Sequence, residues 1–347
     1  MSALARDLLW PSNSDILVRI VFLYVGQGES TIVLAADGAA YRSFLVDINC
    51  DAERKGIDVP RLMSDLLSGA ALDVFVNTHP HNDHLSGVRE LADAVAISTV
   101  WHSGHKPGKN HEDAYKALQE VINSVKKRGG SEERLAGSRT SRPVGEAECY
   151  ILAPAQYVSD DIAGEDPDAR NRRVHEQCAV LKFGLGSTWV MLTGDADRDA
   201  WEKHIAEYHK ERLPAVVFSA PHHGSRTFFH YNEDDEPYLD AIRSIAPTYV
   251  IISAPQRSDS PHDHPHKDAV ELYAEHVGTD NILHTGENRL SFICDIYRDG
   301  KCVVTDDKGE LADKYPIGGG NGDKGKTTVT GPFFTSRVDD RPMGAST

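Results

Sequence analysis

His79-Pro80-His81-Asn82-Asp83-His84 is the stretch on which the reading of this chain turns. Four side chains able to bind a metal occupy six positions. They follow Leu72–Asn77, a short apolar run suited to a strand buried on both faces. A helix is expected near Leu85–Ala94. In extended backbone His79 and His81 point to the same side, so they can grip one metal together. The chain then turns, and Asp83 and His84 can face a second metal. Imidazole with carboxylate suits zinc, manganese or iron, not calcium.

Two further segments end apolar strands in the same way. Leu192-Thr193-Gly194-Asp195 puts a carboxylate after a glycine that lets the backbone turn, and Asp195 could bridge two metals. Its plainer alternative is an N-cap for the helix that follows. Ala220-Pro221-His222-His223-Gly224-Ser225 offers one histidine to complete the second metal and one to sit over a substrate. Ser225 is a candidate substrate contact, although a serine after glycine more often closes a turn.

Around these segments, strands are expected at Ile16–Val25, Thr31–Ala35, Ser43–Ile48, Ile97–Trp101, Cys149–Leu152, Gln177–Phe183, Thr188–Leu192, Ala215–Ser219, Tyr249–Ser253, Ile282–His284 and Leu290–Tyr297. Ala114, Leu118, Ile122 and Val125 form one stripe of an amphipathic helix capped by Asn110 and closed before Gly129. Other helices are expected at Pro60–Leu67, after Asp195, near Pro237–Ile245 and at His266–His276. Gly129–Glu148 reads as a loop, Asp160–Arg173 as polar and mobile, and Ser258–His266 as a flexible lid. The reading is one α/β domain over 1–313, core about 16–305, of two packed sheets covered by helices, followed by a Gly-rich tail over 314–347.

Composition sets the bounds. The chain has 347 residues, 40% of them hydrophobic, enough for a sizeable core. Thirty-seven basic against 53 acidic residues give a net charge of −16, which excludes coating nucleic acid by bulk electrostatics, though not a local basic groove. No apolar run approaches a membrane span, and the first fifteen residues lack the order of a secretory signal, so no membrane association is expected. Five cysteines without a CxxC pair argue against a disulfide scaffold and for a cytoplasmic address. Cys294 and Cys302 are expected as free thiols on paired strands, and His102 and His105 as loop histidines.

The chain resembles the metallo-β-lactamase superfamily, and within it the ComEC-like branch, which contains the C-terminal domain of a DNA-uptake protein. The matching pieces are Val25-Gly26-Gln27-Gly28-Glu29-Ser30 (the family usually has Asp where Glu29 stands), Leu45-Val46-Asp47, the His79–His84 motif, Leu192–Asp195, His222-His223-Gly224-Ser225, and His264-Pro265-His266 before a helix. They keep the family's order from about Ile16 to Tyr297. The resemblance implies a four-layer αββα sandwich with two divalent metal ions, zinc or manganese, at one sheet edge. It implies His79 and His81 on the first metal, Asp83 and His84 on the second, Asp195 bridging, and Asp47 behind the site orienting ligands. His223 is expected to complete the second metal with His222 nearby, the reverse remaining open. His175 stands near the place of a third histidine on the first metal, with a plain surface histidine as the equal alternative.

The expected function is that of a metal-dependent hydrolase. Two metals sharing a water lower its pKa toward neutrality, and the hydroxide attacks phosphorus or a carbonyl carbon. Asp83 belongs to this machinery, and His222 or His264 is the expected proton donor. Pro265 suits a first helical position, which would put His264 at a helix N-terminus. The leading substrate class is a phosphodiester in nucleic acid, with Lys126-Lys127-Arg128, Arg139, Arg142 and Arg170–Arg173 as a local basic rim. A regulatory protein partner is expected for such a free-standing nuclease acting as an effector. The alternatives are a small-molecule hydrolase (cyclic nucleotide or phosphocholine phosphodiesterase, or lactamase- or thioesterase-like) and a catalytically silent binding module.

Overall fold

Alternation within single strands divides the core into layers. The computed structural model describes residues 4–50, 56–107, 111–232 and 234–318. In Leu72–Asn77, Val74 and Val76 pack between two sheets, whereas Phe75 packs against helices on the other face. That strand is buried on both sides, as its apolar run requires.

The first sheet has eight strands, in the order β15-β14-β1-β2-β3-β4-β5-β6. These are β1 (Ile16–Phe22), β2 (Thr31–Asp37), β3 (Ala40–Val46), β4 (Leu72–Asn77), β5 (Ile97–His102), β6 (Ser131–Arg134), β14 (Phe292–Tyr297) and β15 (Cys302–Asp306). The second has seven, in the order β13-β12-β11-β10-β9-β8-β7. These are β7 (Arg142–Val144), β8 (Ala147–Ala153), β9 (Val180–Leu185), β10 (Thr188–Leu192), β11 (Val217–Ser219), β12 (Tyr249–Ile252) and β13 (Ile282–His284). The sheets meet through Phe22, Phe44, Val76, Phe183, Leu192 and Val217. Helices α1 (Leu4–Leu9), α2 (Val59–Leu67), α3 (Val88–Ala94) and α4 (Glu112–Lys127) cover the first sheet. A π-helical turn at Ala200–Ile205, α7 (Asp240–Ile245) and α8 (Lys267–Val277) cover the second. The result is the four-layer αββα sandwich.

Several local expectations are corrected. Gly129–Glu148 is not a loop throughout, because it supplies β6 and β7. Both are edge strands paired on one side only, so neither needs the apolar alternation that makes a strand legible. Asp160–Arg173 is helical, within α5 (Gln156–Ala163) and α6 (Pro167–Arg172), pinned by Val158 and Ile162. The expected cap Asn110 lies outside the described residues, and His111 occupies the N-cap position of α4. Lys314 does not begin a tail: it closes α9 (Glu310–Lys314), and Tyr315 is fully buried, its hydroxyl donating to Asp65 at 2.9 Å. Residues 319–347, most of the expected Gly-rich tail, lie outside the described residues. Cys294 and Cys302 lie on the paired strands β14 and β15 as free thiols.

Candidate metal centre

The chain leaves β3, β4, β10, β11 and β12 at one edge of the sandwich, and each exit delivers a polar side chain to one place. Asp47 follows β3 in left-handed backbone at φ 55° and is fully buried. It accepts hydrogen bonds from Thr78 N (2.7 Å), Thr78 Oγ1 (2.5 Å), Asn77 Nδ2 (3.2 Å) and His84 Nδ1 (2.7 Å). Gly194 turns the chain after β10 at φ 48°, where a Cβ would sit 2.5 Å from Cys178 Sγ and 2.8 Å from Thr78 Oγ1. Only glycine fits, and Asp195 is placed by that turn. His222 and His223 are also left-handed, at φ 51° and 56°, an arrangement uncommon for non-glycine residues and concentrated at functional sites.

The donors fall into three groups: His79, His81, His175 and Asp195; Asp83, His84 and His223; and Asp47, His79 and His84, which shares a histidine with each of the others. Asp195 reaches the first two. Its Oδ2 lies 3.5 Å from His79 Nε2 and 3.8 Å from His175 Nε2, while its Oδ1 lies 3.0 Å from His84 Nε2 and 3.5 Å from His223 Nε2. Asp83 Oδ2 is 3.4 Å from His223 Nε2.

Proton accounting shows that this donor set fits a cation. His84 Nδ1 faces Asp47, which only accepts, so that nitrogen carries the proton. His223 Nδ1 faces the Ser253 carbonyl at 2.9 Å and is protonated for the same reason. Thr78 Oγ1 gives its one proton to Asp47, so it accepts from His79 Nδ1 at 3.1 Å. In each neutral ring the Nε2 lone pair then points into the cluster. His84 Nε2 and His223 Nε2 lie 3.3 Å apart, so either a proton on one of them or a bound cation lies between them. His79 Nε2 and His175 Nε2 are buried without a hydrogen-bond partner among the described residues. Outer groups that hold Nδ1–H and free Nε2 are the usual support of metal-binding imidazoles.

The ionisation states follow the same crowding. Burial pushes the Asp195 carboxyl up, but His84, His222, His223 and His79 overcome it and hold it well below the usual range. Burial likewise opposes ionised Asp83, which His223 and His84 hold well down. Burial disfavours charge on His84, yet Asp195 and Asp47 raise it well above an ordinary histidine. Burial and neighbouring imidazoles depress His81 and His175. His222 is lowered to about 4, chiefly by burial.

The remaining sequence candidates are placed as follows. His223, not His222, joins Asp83 and His84, and His222 Nε2 lies 3.6 Å from Asp195 Oδ2 with its ring 4.4 Å from that of His175. His264 lies beside the cluster, 5.2 Å ring to ring from His222. It is not at a helix N-terminus: Pro265 follows a cis bond, and α8 begins at Lys267 with His266 in the cap position. Ser225 caps a short turn. Its Oγ is buried and accepts Thr227 N at 3.4 Å, closing a turn. Three neighbours were not among the expected site residues. His111 stacks on His81 with ring centroids 3.9 Å apart. His105 bonds Gln177, next to the His175 turn. Glu29 is buried, raised to about 7 chiefly by desolvation, and its backbone N–H donates to the Asp83 carbonyl. Glu29 stands in the Val25–Ser30 piece already marked in the sequence, His105 was expected as a loop histidine, and His111 carried no local signal.

Part of the expected basic rim is already engaged. Lys126 pairs with Glu132 at 2.7 Å, Arg142 with Glu133, and Arg173 with Asp161, Glu165 and Glu176. Arg139 stacks on Tyr208. Among the described residues no helix is long and apolar enough to cross a membrane.

Comparison with known proteins bears on the family. A search among curated proteins finds no match. Solved structures that the chain is similar to include a diphosphatase from the PhnP family, at 14% identity over 77% of this chain and 94% of that one, with a TM-score of 0.38. A metallo-beta-lactamase superfamily protein from Sulfolobus tokodaii matches at 14% identity over 51% and 62%, TM-score 0.27. A beta-lactamase domain protein from Burkholderia ambifaria matches at 12% over 54% and 55%, TM-score 0.30. The sequence model of the metallo-beta-lactamase superfamily matches residues 42–147, the segment that carries Asp47 and the whole His79–His84 motif. Over that segment, set here in an αββα sandwich, the chain is similar to the metallo-beta-lactamase superfamily.

Proposed function

We propose that this protein is a metal-dependent phosphodiesterase. The observation that carries the proposal is the convergence of the His79, His84 and His223 lone pairs on a buried carboxylate, Asp195, whose two oxygens face different donor groups. His79, His81, His175 and Asp195 would hold one divalent ion, and Asp83, His84, His223 and Asp195 the other. Bound there, such ions lower the pKa of a water and offset negative charge on phosphoryl oxygens. The protein's own part is positional. Asp47 and Thr78 fix ring orientation, and Ser253 holds His223. His222, neutral at pH 7 and half-buried, is a hydrogen-bond donor beside the cluster, not a store of protons.

Nucleic acid is the first reading of the substrate, resting on the ComEC-like Gly26-Gln27-Gly28 and His222–Ser225 pieces, both of which stand at this edge. The second reading is a short phosphodiester, and one observation favours it: Lys126, Arg142 and Arg173 of the expected rim are already paired with carboxylates. The test is incubation of zinc- or manganese-reloaded protein with plasmid DNA, single-stranded DNA, RNA and bis-p-nitrophenyl phosphate, beside an Asp195→Ala/His81→Ala control. Polymer cleavage absent from the control supports the nuclease. Turnover of the small ester alone supports the second reading. No turnover by metal-loaded protein refutes the phosphodiesterase.

A further inference from the structure

The turn Gly26-Gln27-Gly28 is built to hold one side chain. Gly26 and Gly28 adopt φ 74° and 134°, and a Cβ on Gly28 would meet the Asp83 carbonyl at 2.5 Å. Asn49 Nδ2 clamps the backbone by donating to the Val25 carbonyl (3.0 Å) and the Gln27 carbonyl (2.6 Å). The Gln27 side chain is buried beside His264, with Nε2 3.4 Å from His264 Nδ1.

The hydrogens of this array are fixed by its partners. Ser260 Oγ accepts two backbone N–H groups, from His262 (3.3 Å) and His264 (3.0 Å). Its single proton therefore goes to Gln27 Oε1, at 3.0 Å. That orients the amide, because Oε1 faces Ser260 and the NH2 group faces His264. His264 Nδ1 must accept, so the ring proton of neutral His264 sits on Nε2. This is the opposite tautomer to His79, His84 and His223, whose Nδ1 atoms carry the proton and whose Nε2 atoms are free to bind a cation. Three histidines are prepared as lone-pair ligands, and a fourth, 6.1 Å ring to ring from His223, is prepared as an N–H donor.

We propose that Gln27, oriented by Ser260, is the positioning residue that makes His264 an Nε2–H hydrogen-bond donor to an oxygen of the bound phosphodiester. The catalytic half of this inference rests on the phosphodiesterase reading, whereas the tautomer does not.

The test is 15N NMR of the full chain, zinc-loaded and labelled at histidine, with His264 assigned by comparison with His264→Gln. Long-range 15N–1H couplings distinguish the two tautomers. Wild-type protein is expected to show Nε2–H at His264. Gln27→Glu replaces the donating NH2 with an acceptor, so His264 is expected to switch to Nδ1–H. Ser260→Ala, a milder change, frees the amide to turn and is expected to give a mixture. With bis-p-nitrophenyl phosphate, Gln27→Glu is expected to lose tenfold or more in kcat, with KM within twofold and zinc content unchanged. An Nδ1–H signal in wild type, or no switch in Gln27→Glu, overturns the proposal. A switch with unchanged kcat overturns its catalytic half. The expected tautomers in a wild-type protein that cleaves no phosphodiester refute the functional reading and leave the tautomer assignment standing.

Discussion

Asp47→Asn removes one charge and almost no volume, and the hydrogen bonds around it dictate the consequence. Oδ1 accepts from Thr78 N and Asn77 Nδ2, while Oδ2 accepts from Thr78 Oγ1 and His84 Nδ1. The Thr78 backbone N–H cannot change direction or become an acceptor. The asparagine must therefore keep its carbonyl at the Oδ1 position and place its NH2 at Oδ2, facing His84. His84 Nδ1 then becomes an acceptor, and its proton moves to Nε2, the atom 3.0 Å from Asp195 Oδ1 that would otherwise bind the second ion. Loss of such an outer partner costs about 10–100-fold in metal affinity, or ~1.4–2.8 kcal/mol at 1.4 kcal/mol per factor of ten. The assay is zinc affinity by competition with a chromophoric chelator, with thermal unfolding as a check on the fold. Thr78 Oγ1 loses its acceptor at the same position and must donate to His79 Nδ1 instead, so weakening of both equivalents is expected. An Asp47→Asn protein that binds both equivalents as tightly as wild type would refute the tautomer argument.

Other perturbations separate the parts of the site. His175→Ala should weaken one zinc equivalent and spare the other, since His175 belongs only to the group with His79, His81 and Asp195; loss of both equivalents would contradict that grouping. Gly194→Ala forces a Cβ onto Cys178 and Thr78 at a positive φ, so destabilisation of ~2–4 kcal/mol in urea unfolding is expected, with loss of zinc as Asp195 shifts. The Glu176 carboxyl, held at about 2 by His204 and Arg173 against its burial, contributes stability that is complete above pH ~4.5 and is lost as pH falls toward 2. Glu176→Gln should lose ~1–2 kcal/mol at pH 7 and flatten the acid limb of the stability profile. Because Asp47 and Asp195 favour the proton on His84, zinc affinity should rise with pH as that proton is released, a trend isothermal titration in two buffers reads directly.

The parts of the fold that sequence made legible are those where a single pressure dominates. β4 is continuously apolar because it is buried on both faces, and α4 shows its stripe because one face meets the first sheet. β6, reading Ser131-Glu132-Glu133-Arg134, is an edge strand held by backbone pairing with β5 and a Glu132–Lys126 ion pair, so it carries no apolar signature. In the site, donors clustered in short motifs were legible. Which neighbour joins Asp83 and His84 was legible only as an expectation for His223: the two histidines share a motif, and the turn at φ 51° and 56° sends His223 toward Asp83 and His84. His111 reaches His81 from the start of α4, about thirty residues along the chain, a proximity created by the β4–β5 packing and invisible to spacing. Part of the expected basic rim is engaged for a related reason, because charge runs in sequence do not show the carboxylates that strand pairing and α5–α6 bring against Arg142 and Arg173.

The central claim is that Asp195 joins two ion-binding groups in a site that hydrolyses phosphodiesters. The most direct measurement is zinc content by mass spectrometry after reloading and desalting, paired with bis-p-nitrophenyl phosphate turnover, for wild type and Asp195→Ala at matched circular dichroism. The account predicts two zinc ions per wild-type chain with turnover, and loss of tightly held zinc and of turnover together in the variant. A folded Asp195→Ala protein that retains two zinc ions, or that hydrolyses the ester as fast as wild type, would contradict it.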